Sequence, residues 1–315
     1  MIAALRFSAK RMGFSRGVFL DASNCSDFLK TFDCVLADCD GVLWRGDSAI
    51  PNAPKVMQKF AEAGKKLFYV TNNSTKSRAA YLKKFHQLGF PASTENIYGT
   101  STIVAAYLKS INFRKKAYCI GTTGLKDELD AAGIQHVGFG PDVSSHDSHL
   151  EMVKDVVLEE DVGAVVVGFD PHFSYLKMLK GATYLNKGET LFLATNTDAR
   201  FPHGSNGIIM PGTGTFVSAM ETVSQRKPLI FGKPNSNMFD AIKSEHGIDP
   251  ARTIMIGDNC HTDILLGKNC GLRTLLVLTG VTSEDDLDNF RRSKNESHLL
   301  PDFFINSLGD LLHLM

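Results

Sequence analysis

The sequence predicts an α/β protein in which a doubly wound parallel sheet carries a second, inserted α/β domain. Short apolar runs typical of buried strands alternate with helical patterns, and Gly64 and Gly89 close two of these helices. Several of the strands end at polar residues, which is where open parallel sheets place their ligand sites. The alternation restarts near residue 114. This restart indicates the second domain.

The first strand delivers two acids to its end. Cys34-Val35-Leu36-Ala37 is followed by Asp38-Cys39-Asp40-Gly41-Val42-Leu43-Trp44, and Gly41 breaks the strand. Two carboxylates this close repel each other unless a cation or a proton lies between them. The stretch therefore predicts a partner for Asp38 and Asp40 elsewhere in the chain.

A second apolar strand, Leu67-Phe68-Tyr69-Val70, runs directly into Thr71-Asn72-Asn73-Ser74. Small hydroxyl and amide residues at a strand end can surround an anion with hydrogen-bond donors. The alternative is an ordinary loop that supplies the N-cap of the next helix.

The middle of the chain, residues 114–227, is predicted to be the separate domain, so that residues 22–113 and 228–315 form the core. The strands of this middle part are Ala117-Tyr118-Cys119-Ile120, Ala164-Val165-Val166-Val167 and Leu191-Phe192-Leu193-Ala194. Beyond it, the run 229–231 is predicted to be a core strand. The polar segment 283–297 is predicted to be a loop.

Charged residues that could take part in catalysis follow two further predicted strands. Lys233 follows the run 229–231, and Gly257-Asp258 follows Thr253-Ile254-Met255-Ile256, with Asp263 five residues later. Because the carboxyl ends of the strands lie along one edge of a doubly wound sheet, these residues are expected to meet Asp38, Asp40 and Thr71 there.

The converging residues suit phosphoryl transfer. Three carboxylates, from Asp38, Asp40 and Asp258, with waters completing the shell, suit an octahedral Mg²⁺, which favours a phosphate oxygen as a further ligand. Lys233 supplies a positive charge for a phosphate or for balancing the acids. Since the chain has no Walker A motif, a side chain must accept the phosphoryl group. Asp38 is the candidate nucleophile and Asp40 the candidate acid and base.

Four motifs resemble those of the haloacid dehalogenase (HAD) superfamily of phosphatases. The matching positions are residues 38–44 for motif I, Thr71 for motif II, Lys233 for motif III and Gly257-Asp258 to Asp263 for motif IV. Residues 168–175 and 194–198 are similar to the C2-type cap of the phosphoglycolate phosphatase and pyridoxal phosphatase group, long called 4-nitrophenylphosphatases. The resemblance covers about residues 25–312. It implies a HAD-like Rossmannoid core with residues 114–227 as the cap.

The resemblance also implies a role for each acid. Asp38 is expected to attack the phosphate and form an aspartyl-phosphate, while Asp40 moves the proton. Asp38, Asp258 and the backbone carbonyl of Asp40 are expected to hold Mg²⁺. Asp263 is expected to orient the metal-bound waters or Lys233.

The phosphate and the rest of the substrate are assigned in the same way. The residues that are expected to hold the phosphate are Thr71, Asn72, Asn73 and Lys233. The cap is expected to choose the substrate and to form a homodimer. Phe201, which follows Arg200 and precedes Pro202, matches the position where pyridoxal phosphatase has a histidine before a proline, so the resemblance favours 2-phosphoglycolate. Pyridoxal 5'-phosphate or a phosphoprotein is the alternative substrate. For pyridoxal 5'-phosphate, His203 is near enough to replace that histidine, unless it is a surface histidine.

The composition of the chain indicates its partners, the state of its cysteines and the character of its N-terminal segment. The chain has 315 residues with 34 Lys and Arg against 34 Asp and Glu, which argues against a general nucleic-acid or membrane surface. Its six cysteines have no metal-ligand spacing and are expected to be reduced thiols, as in a cytoplasmic protein. Residues 1–21 are basic, with no acid before Asp21, which predicts a disordered extension or, alternatively, a mitochondrial targeting segment.

Two functions of other classes fit the sequence less well than a phosphatase does. A phospho-accepting aspartate module of the response-regulator type also uses an acidic pocket with Thr and Lys, but it has neither the large insertion nor an acid at the position of Asp40. A dinucleotide-binding enzyme is disfavoured because no G-x-G-x-x-G follows the first strand.

Overall fold

The computed structural model of the protein describes residues 17–154, 156–201 and 208–315. His203 and residues 1–16 of the basic extension lie outside these ranges. The strands are β1 Val18–Phe19, β2 Cys34–Ala37, β3 Trp44–Arg45, β4 Ser48–Ala49, β5 Lys66–Thr71, β6 Ile97–Gly99, β7 Lys116–Ile120, β8 His136–Val137, β9 Val162–Val167, β10 Leu191–Ala194, β11 Leu229–Ile230, β12 Thr253–Gly257, β13 Arg273–Val277 and β14 Phe303–Ile305.

The α-helices of the described residues alternate with these strands. They are α1 Cys25–Leu29, α2 Ala53–Glu62, α3 Arg78–Gln87, α4 Thr100–Ser110, α5 Thr123–Ala132, α6 His149–Lys154, α7 Tyr175–Leu185, α8 Thr213–Ser224, α9 Asn237–His246, α10 Leu265–Asn269, α11 Glu284–Arg292 and α12 Leu311–Leu314.

The first sheet has seven parallel strands in the order β1-β14-β13-β12-β2-β5-β6. The side chains of its central strands β2, β5 and β12 alternate between the two faces of the sheet, and both faces are buried there. In β2, Val35 and Ala37 pack with helices α2 and α3, whereas Leu36 packs with α4 and α9 on the opposite face. The prediction of a doubly wound parallel sheet is confirmed. β2 lies between β5 and β12, so the ends of all three strands are adjacent.

The second sheet has five parallel strands in the order β11-β10-β9-β7-β8. It includes Leu229–Ile230, which pairs with β10, so the assignment of run 229–231 to the core sheet is wrong. The second domain therefore reaches past the predicted boundary at residue 227. Helix α8 packs against α7 through Val217 and Met220 in the apolar cluster of this sheet.

One apolar cluster joins the two domains. It contains Leu36 and Val70 of the first sheet together with Leu125 of α5 and Val166 of the second sheet. Beside this cluster, the buried carboxylate of Glu128 accepts hydrogen bonds from the backbone N–H and the Nε of Arg78, at 2.7 and 3.0 Å. The second domain is thus packed onto the core by a continuous interior.

Three smaller observations complete the fold. β1 pairs with β14, so at least residues 18 and 19 of the predicted extension belong to the core sheet. Segment 283–297 contains helix α11 instead of only loop, because Ser283 and Asp286 form a capping box at its start. The cysteines are all free, as predicted, and none of the described helices has the length and apolar character needed to cross a membrane.

Candidate active site

A tight turn after β2 shapes the start of the site. Its bonds run from the N–H groups of Leu43 and Trp44 to the carbonyl of Cys39, and from the N–H of Gly41 to the carbonyl of Trp44. Gly41 has φ +85°, and a Cβ at this position would lie 2.4 Å from Oδ2 of Asp258. A glycine is therefore needed here both for its left-handed backbone and for the close approach of Asp258.

Asp38, Lys233, Asp258 and Asp263 form a buried ionic cluster at the ends of β2 and β12. The ammonium of Lys233 lies 2.6 Å from Oδ1 of Asp38 and 2.8 Å from Oδ1 of Asp263. Oδ2 of Asp263 accepts the N–H groups of Asp258 and Asn259, at 3.2 and 3.1 Å. Asp263 therefore fixes both Lys233 and the loop that presents Asp258.

The charges of this cluster shift its pKa values. Burial, together with Asp263 and Asp258, raises the pKa of Asp38 well above its ordinary value, and Lys233 only partly opposes this rise. Burial and Asp263 raise the pKa of Asp258 to about 7. Burial would lower the pKa of Lys233, but Asp263 and Asp38 overcome that effect and raise it. Lys233 is therefore charged at neutral pH, and its single positive charge does not neutralise the three acids.

The cluster fits a divalent cation. Ligand atoms of Asp38, Asp258 and Asp263 all lie within 4.8 Å of one another, and the three carboxylates face the single ammonium of Lys233. A dication balances this excess negative charge, and an all-oxygen donor set suits Mg²⁺. Because both oxygens of Asp263 contact protein groups, Asp38 and Asp258 are the acids best placed to hold the ion.

Asp40 lies apart from this cluster. It is half-buried, lines the cavity beside Asp38, and its Oδ1 accepts a 2.9 Å hydrogen bond from the indole Nε1 of Trp44. The structure therefore separates the two acids of motif I. Asp38 faces Lys233, and the carboxylate of Asp40 faces the cavity, where a leaving group can be protonated.

The segment after β5 brings Thr71, Asn72 and Asn73 to the same cavity. Thr71 is buried, and its Oγ1 accepts the N–H of Asn73 at 3.2 Å. Oδ1 of Asn73 accepts the N–H and the hydroxyl of Thr75, at 2.9 and 2.7 Å, which shapes the turn. The hydroxyl of Thr71 is thus the side chain of this segment best placed to meet a phosphate.

The side chain of Asn72 lines the cavity and is hydrogen-bonded to the Lys233 loop. Its Oδ1 accepts the N–H of Lys233 at 2.8 Å, and its Nδ2 donates to the carbonyl of Lys233 at 3.2 Å. The same Nδ2 lies 3.1 Å from Oδ2 of Asp198 in the second domain. Asn72 therefore holds the Lys233 loop in place.

The second domain supplies the opposite wall of the cavity, whose volume is about 500 Å³. Arg200 and Phe201 line it, together with Phe169 and Met210. The ring of Phe201 meets that of Phe169 edge to face, with centroids 4.8 Å apart. The N–H of Phe201 donates to the carbonyl of Met210 at 3.0 Å. A cation and an apolar wall therefore face the acidic cluster.

The contacts of Asp198 and Trp44 at the cavity were not predicted from the sequence. Asp198 joins the domains, because it accepts hydrogen bonds from Asn72 of the core and from Asn196, the latter at 2.7 Å. It follows a strand end in the same way as the other polar clusters, and that position was the available signal. Trp44 stands within motif I, but nothing in the sequence indicated that its indole meets Asp40.

Comparison with known proteins identifies the family. A sequence model described as haloacid dehalogenase-like hydrolase matches residues 35–135, and a HAD-hydrolase-like model matches residues 230–311. Glycerol-3-phosphate phosphatase of Mus musculus is 43% identical over 308 residues, which cover 95% of each chain. The chain belongs to the HAD-like hydrolases.

Other members of this HAD-like family support the same assignment. Phosphoglycolate phosphatase 1A, chloroplastic, of Arabidopsis thaliana is 41% identical over 292 residues, covering 92% of this chain and 79% of that protein. The crystal structure of 4-nitrophenylphosphatase from Thermotoga maritima has a TM-score of 0.75 and 29% identity, covering 90% of this chain and 98% of the other. The chain is therefore a phosphatase, and the alternative of a signalling module is wrong.

Proposed function

We propose that this HAD phosphatase hydrolyses 2-phosphoglycolate through an aspartyl-phosphate on Asp38, with Mg²⁺ as its cofactor. The observation that carries the proposal is the placement of Asp38 between Lys233 and Asp258 on one side of the cavity, with Arg200 on the other. Asp38, Lys233 and Asp258 together suit a phosphate monoester. Arg200 suits the carboxylate at the other end of a short substrate.

In the first step, a carboxylate oxygen of Asp38 attacks the phosphorus. The bond between phosphorus and the leaving oxygen breaks, and its electron pair stays on that oxygen. Asp40 gives its carboxyl proton to the oxygen, which leaves as an alcohol. Lys233 balances charge on the phosphoryl oxygens, and Thr71 donates its hydroxyl to one of them.

In the second step, water attacks the phosphorus of the aspartyl-phosphate, and Asp40 takes the proton of that water. The bond between phosphorus and the oxygen of Asp38 breaks, which restores Asp38 and releases inorganic phosphate. When bound at Asp38, Asp258 and the carbonyl of Asp40, Mg²⁺ supplies positive charge that stabilises the transferring phosphoryl group.

Glycerol 3-phosphate is the second candidate substrate, because the relative at 43% identity is named for it. It is also a small phosphate ester, one carbon longer than 2-phosphoglycolate, and it carries hydroxyl groups in place of a carboxylate. Arg200 distinguishes the two, since a guanidinium pairs with a carboxylate far better than with a hydroxyl. Substitution of Arg200 by Met is therefore expected to reduce kcat/KM for 2-phosphoglycolate more than for glycerol 3-phosphate.

A phosphate-release assay across a substrate panel tests the proposal. The panel contains 2-phosphoglycolate, glycerol 3-phosphate, pyridoxal 5'-phosphate and a phosphopeptide, each compared by kcat/KM. Activity is expected with Mg²⁺, with loss in EDTA and loss in Asp38→Asn, and 2-phosphoglycolate is expected to rank first. A higher kcat/KM for another substrate contradicts the proposed substrate, whereas full activity of Asp38→Asn contradicts the mechanism.

We also propose a homodimer formed through the second domain. Large apolar side chains are exposed on this domain: Val143, Leu150, Val153, Val157, Ile208 and Ile209. Leu150 and Val153 lie in helix α6, and Val143 and Val157 lie in the segments before and after it. The mass of the protein in solution, measured by light scattering, is expected to be twice that of one chain and to fall by half in a Leu150→Glu, Val153→Glu double variant. A monomeric wild-type protein contradicts this proposal.

A further inference from the structure

The only tryptophan of the chain lies next to the proposed proton-transfer group. Trp44 is fully buried, and its Nε1 is 2.9 Å from Oδ1 of Asp40. The main chain of Trp44 also closes the turn, because its carbonyl accepts the N–H of Gly41 at 2.8 Å and its own N–H donates to Cys39 at 3.2 Å. Backbone and indole together therefore set the position of Asp40.

The indole is held in place by aromatic neighbours. Phe85 and Phe90 meet it edge to face, with centroids 4.9 and 6.0 Å away, and Tyr81 stacks on it at 6.4 Å. The ammonium of Lys84 lies over the ring, 4.5 Å from its centroid. With neighbours on its face and its edges, the ring has one orientation, and its N–H points at Asp40.

The indole hydrogen-bonds to only one of the two carboxylate oxygens of Asp40, so these two oxygens are not equivalent. An indole N–H can only donate a hydrogen bond, so it occupies Oδ1 of Asp40 as an acceptor in both protonation states. Among the described residues, Oδ2 of Asp40 has no hydrogen-bond partner. The proton that Asp40 transfers is therefore carried on Oδ2. The hydrogen bond to Oδ1 fixes the rotation of the carboxyl group and, with it, the direction of Oδ2.

We propose that Trp44 is a positioning residue for proton transfer by Asp40. The proposal rests on the proposed function, in which Asp40 protonates the leaving oxygen. Without the indole N–H, the carboxyl of Asp40 rotates about its Cβ–Cγ bond, and Oδ2 is aligned with the leaving oxygen for only part of the time. The fold and the nucleophile Asp38 are unchanged by this loss.

The proposal predicts a dependence on the leaving group. An alkoxide, such as that released from glycerol 3-phosphate, needs a proton as its bond to phosphorus breaks, whereas 4-nitrophenolate leaves without one. The value of kcat/KM reports the steps up to departure of the leaving group. Trp44→Phe keeps an aromatic ring and removes the N–H, so it is expected to lower kcat/KM about tenfold for glycerol 3-phosphate and by less than about twofold for 4-nitrophenyl phosphate.

Two further variants separate the possible outcomes. Phe90→Leu reduces packing on the same ring without removing the hydrogen bond, so it is expected to affect both substrates equally. Asp40→Asn removes the proton itself and is expected to show a larger leaving-group dependence than Trp44→Phe. If Asp40→Asn shows none, the role of Asp40 in the proposed function is wrong. If Asp40→Asn shows it and Trp44→Phe affects both substrates alike, the proposal for Trp44 is overturned.

A spectroscopic measurement tests the bond without activity. Because Trp44 is the only tryptophan, the N–H-sensitive band of the ultraviolet resonance Raman spectrum belongs to one residue. In the intact protein this band is expected at the position of a hydrogen-bonded indole, and in Asp40→Ala it is expected to move to that of a free N–H. An unchanged band overturns the proposal.

Discussion

Substitution of Asp258 by Asn is expected to stabilise the metal-free protein while it abolishes activity. Asp258 is buried beside Asp38 and Asp263, and its pKa rises from 3.8 to about 7. The folded protein thus binds this proton more tightly than the unfolded chain does, so its stability falls as the pH rises from about 4 to about 7 and stays at the lower level above that. Each unit of pKa corresponds to about 1.4 kcal/mol. The ionised carboxylate therefore destabilises the metal-free fold at pH 8 by up to about 4 kcal/mol.

The assay is thermal unfolding in EDTA at pH 5.5 and pH 8. An asparagine can retain the acceptor for the N–H of Val281, which is 2.8 Å from Oδ2 of Asp258, and it removes the charge. For a chain of this length, the relief corresponds to a rise in Tm of up to about 6 °C at pH 8 and to roughly half of that at pH 5.5, where the carboxyl is ionised in the unfolded chain but not in the folded protein. With Mg²⁺ the order reverses, because the variant loses a ligand, and phosphatase activity falls at least about a hundredfold.

Asp47→Asn is the matched control, since the side chain of Asp47 is fully exposed. It removes the same charge from the surface and is expected to leave both Tm values unchanged. A lower Tm of Asp258→Asn in EDTA at pH 8, or an equal shift at the two pH values, refutes the inference that the buried charge of Asp258 destabilises the metal-free fold.

Three other substitutions test the surroundings of the site. A Cβ at Gly280 would lie 1.6 Å from Oδ2 of Asp258, so Gly280→Ala is expected to displace this acid and to weaken Mg²⁺ binding, measured by calorimetry; unchanged affinity contradicts the expectation. Asp198→Ala removes the contact with Asn72 and is expected to lower kcat/KM by about tenfold, whereas a change in Tm alone would assign Asp198 a purely structural role. Glu128→Ala removes the carboxylate that accepts the backbone N–H of Arg78 at the start of α3. Because this N–H then has no partner, the free energy of unfolding, measured in urea titrations, is expected to fall by about 2 kcal/mol. A fall below about 0.5 kcal/mol would argue against a structural role.

Much of the fold and of the acidic cluster was predictable from the sequence, because one rule relates them. Strands of a parallel sheet end at the same edge, so acids that follow β2 and β12 must meet there. Asp38 and Asp258 are far apart in the chain, yet their ligand atoms lie within 4.8 Å. The family of the chain followed from the same residues, since their order and spacing are specific.

Other features depend on tertiary packing and left weak signals in the sequence. Leu229–Ile230 reads as an apolar strand, but only its pairing with β10 places it in the second sheet. Helix α11 has two buried apolar residues, Leu287 and Phe290, so its composition resembled a loop. From the sequence alone, the amide of Asn72 suits a phosphate as well as it suits a backbone group. Its pairing with the backbone of Lys233 depends on the tertiary structure.

The apolar cluster shared by the two domains has a thermodynamic consequence. The core is assembled from two separated stretches of chain, and the segment between them contributes Leu125 and Val166 to the same interior as Leu36. Excising that segment would expose a large apolar face on each half. The protein is therefore expected to unfold in a single cooperative transition, with equal calorimetric and van't Hoff enthalpies, because melting of either unit would expose the apolar side chains that it shares with the other.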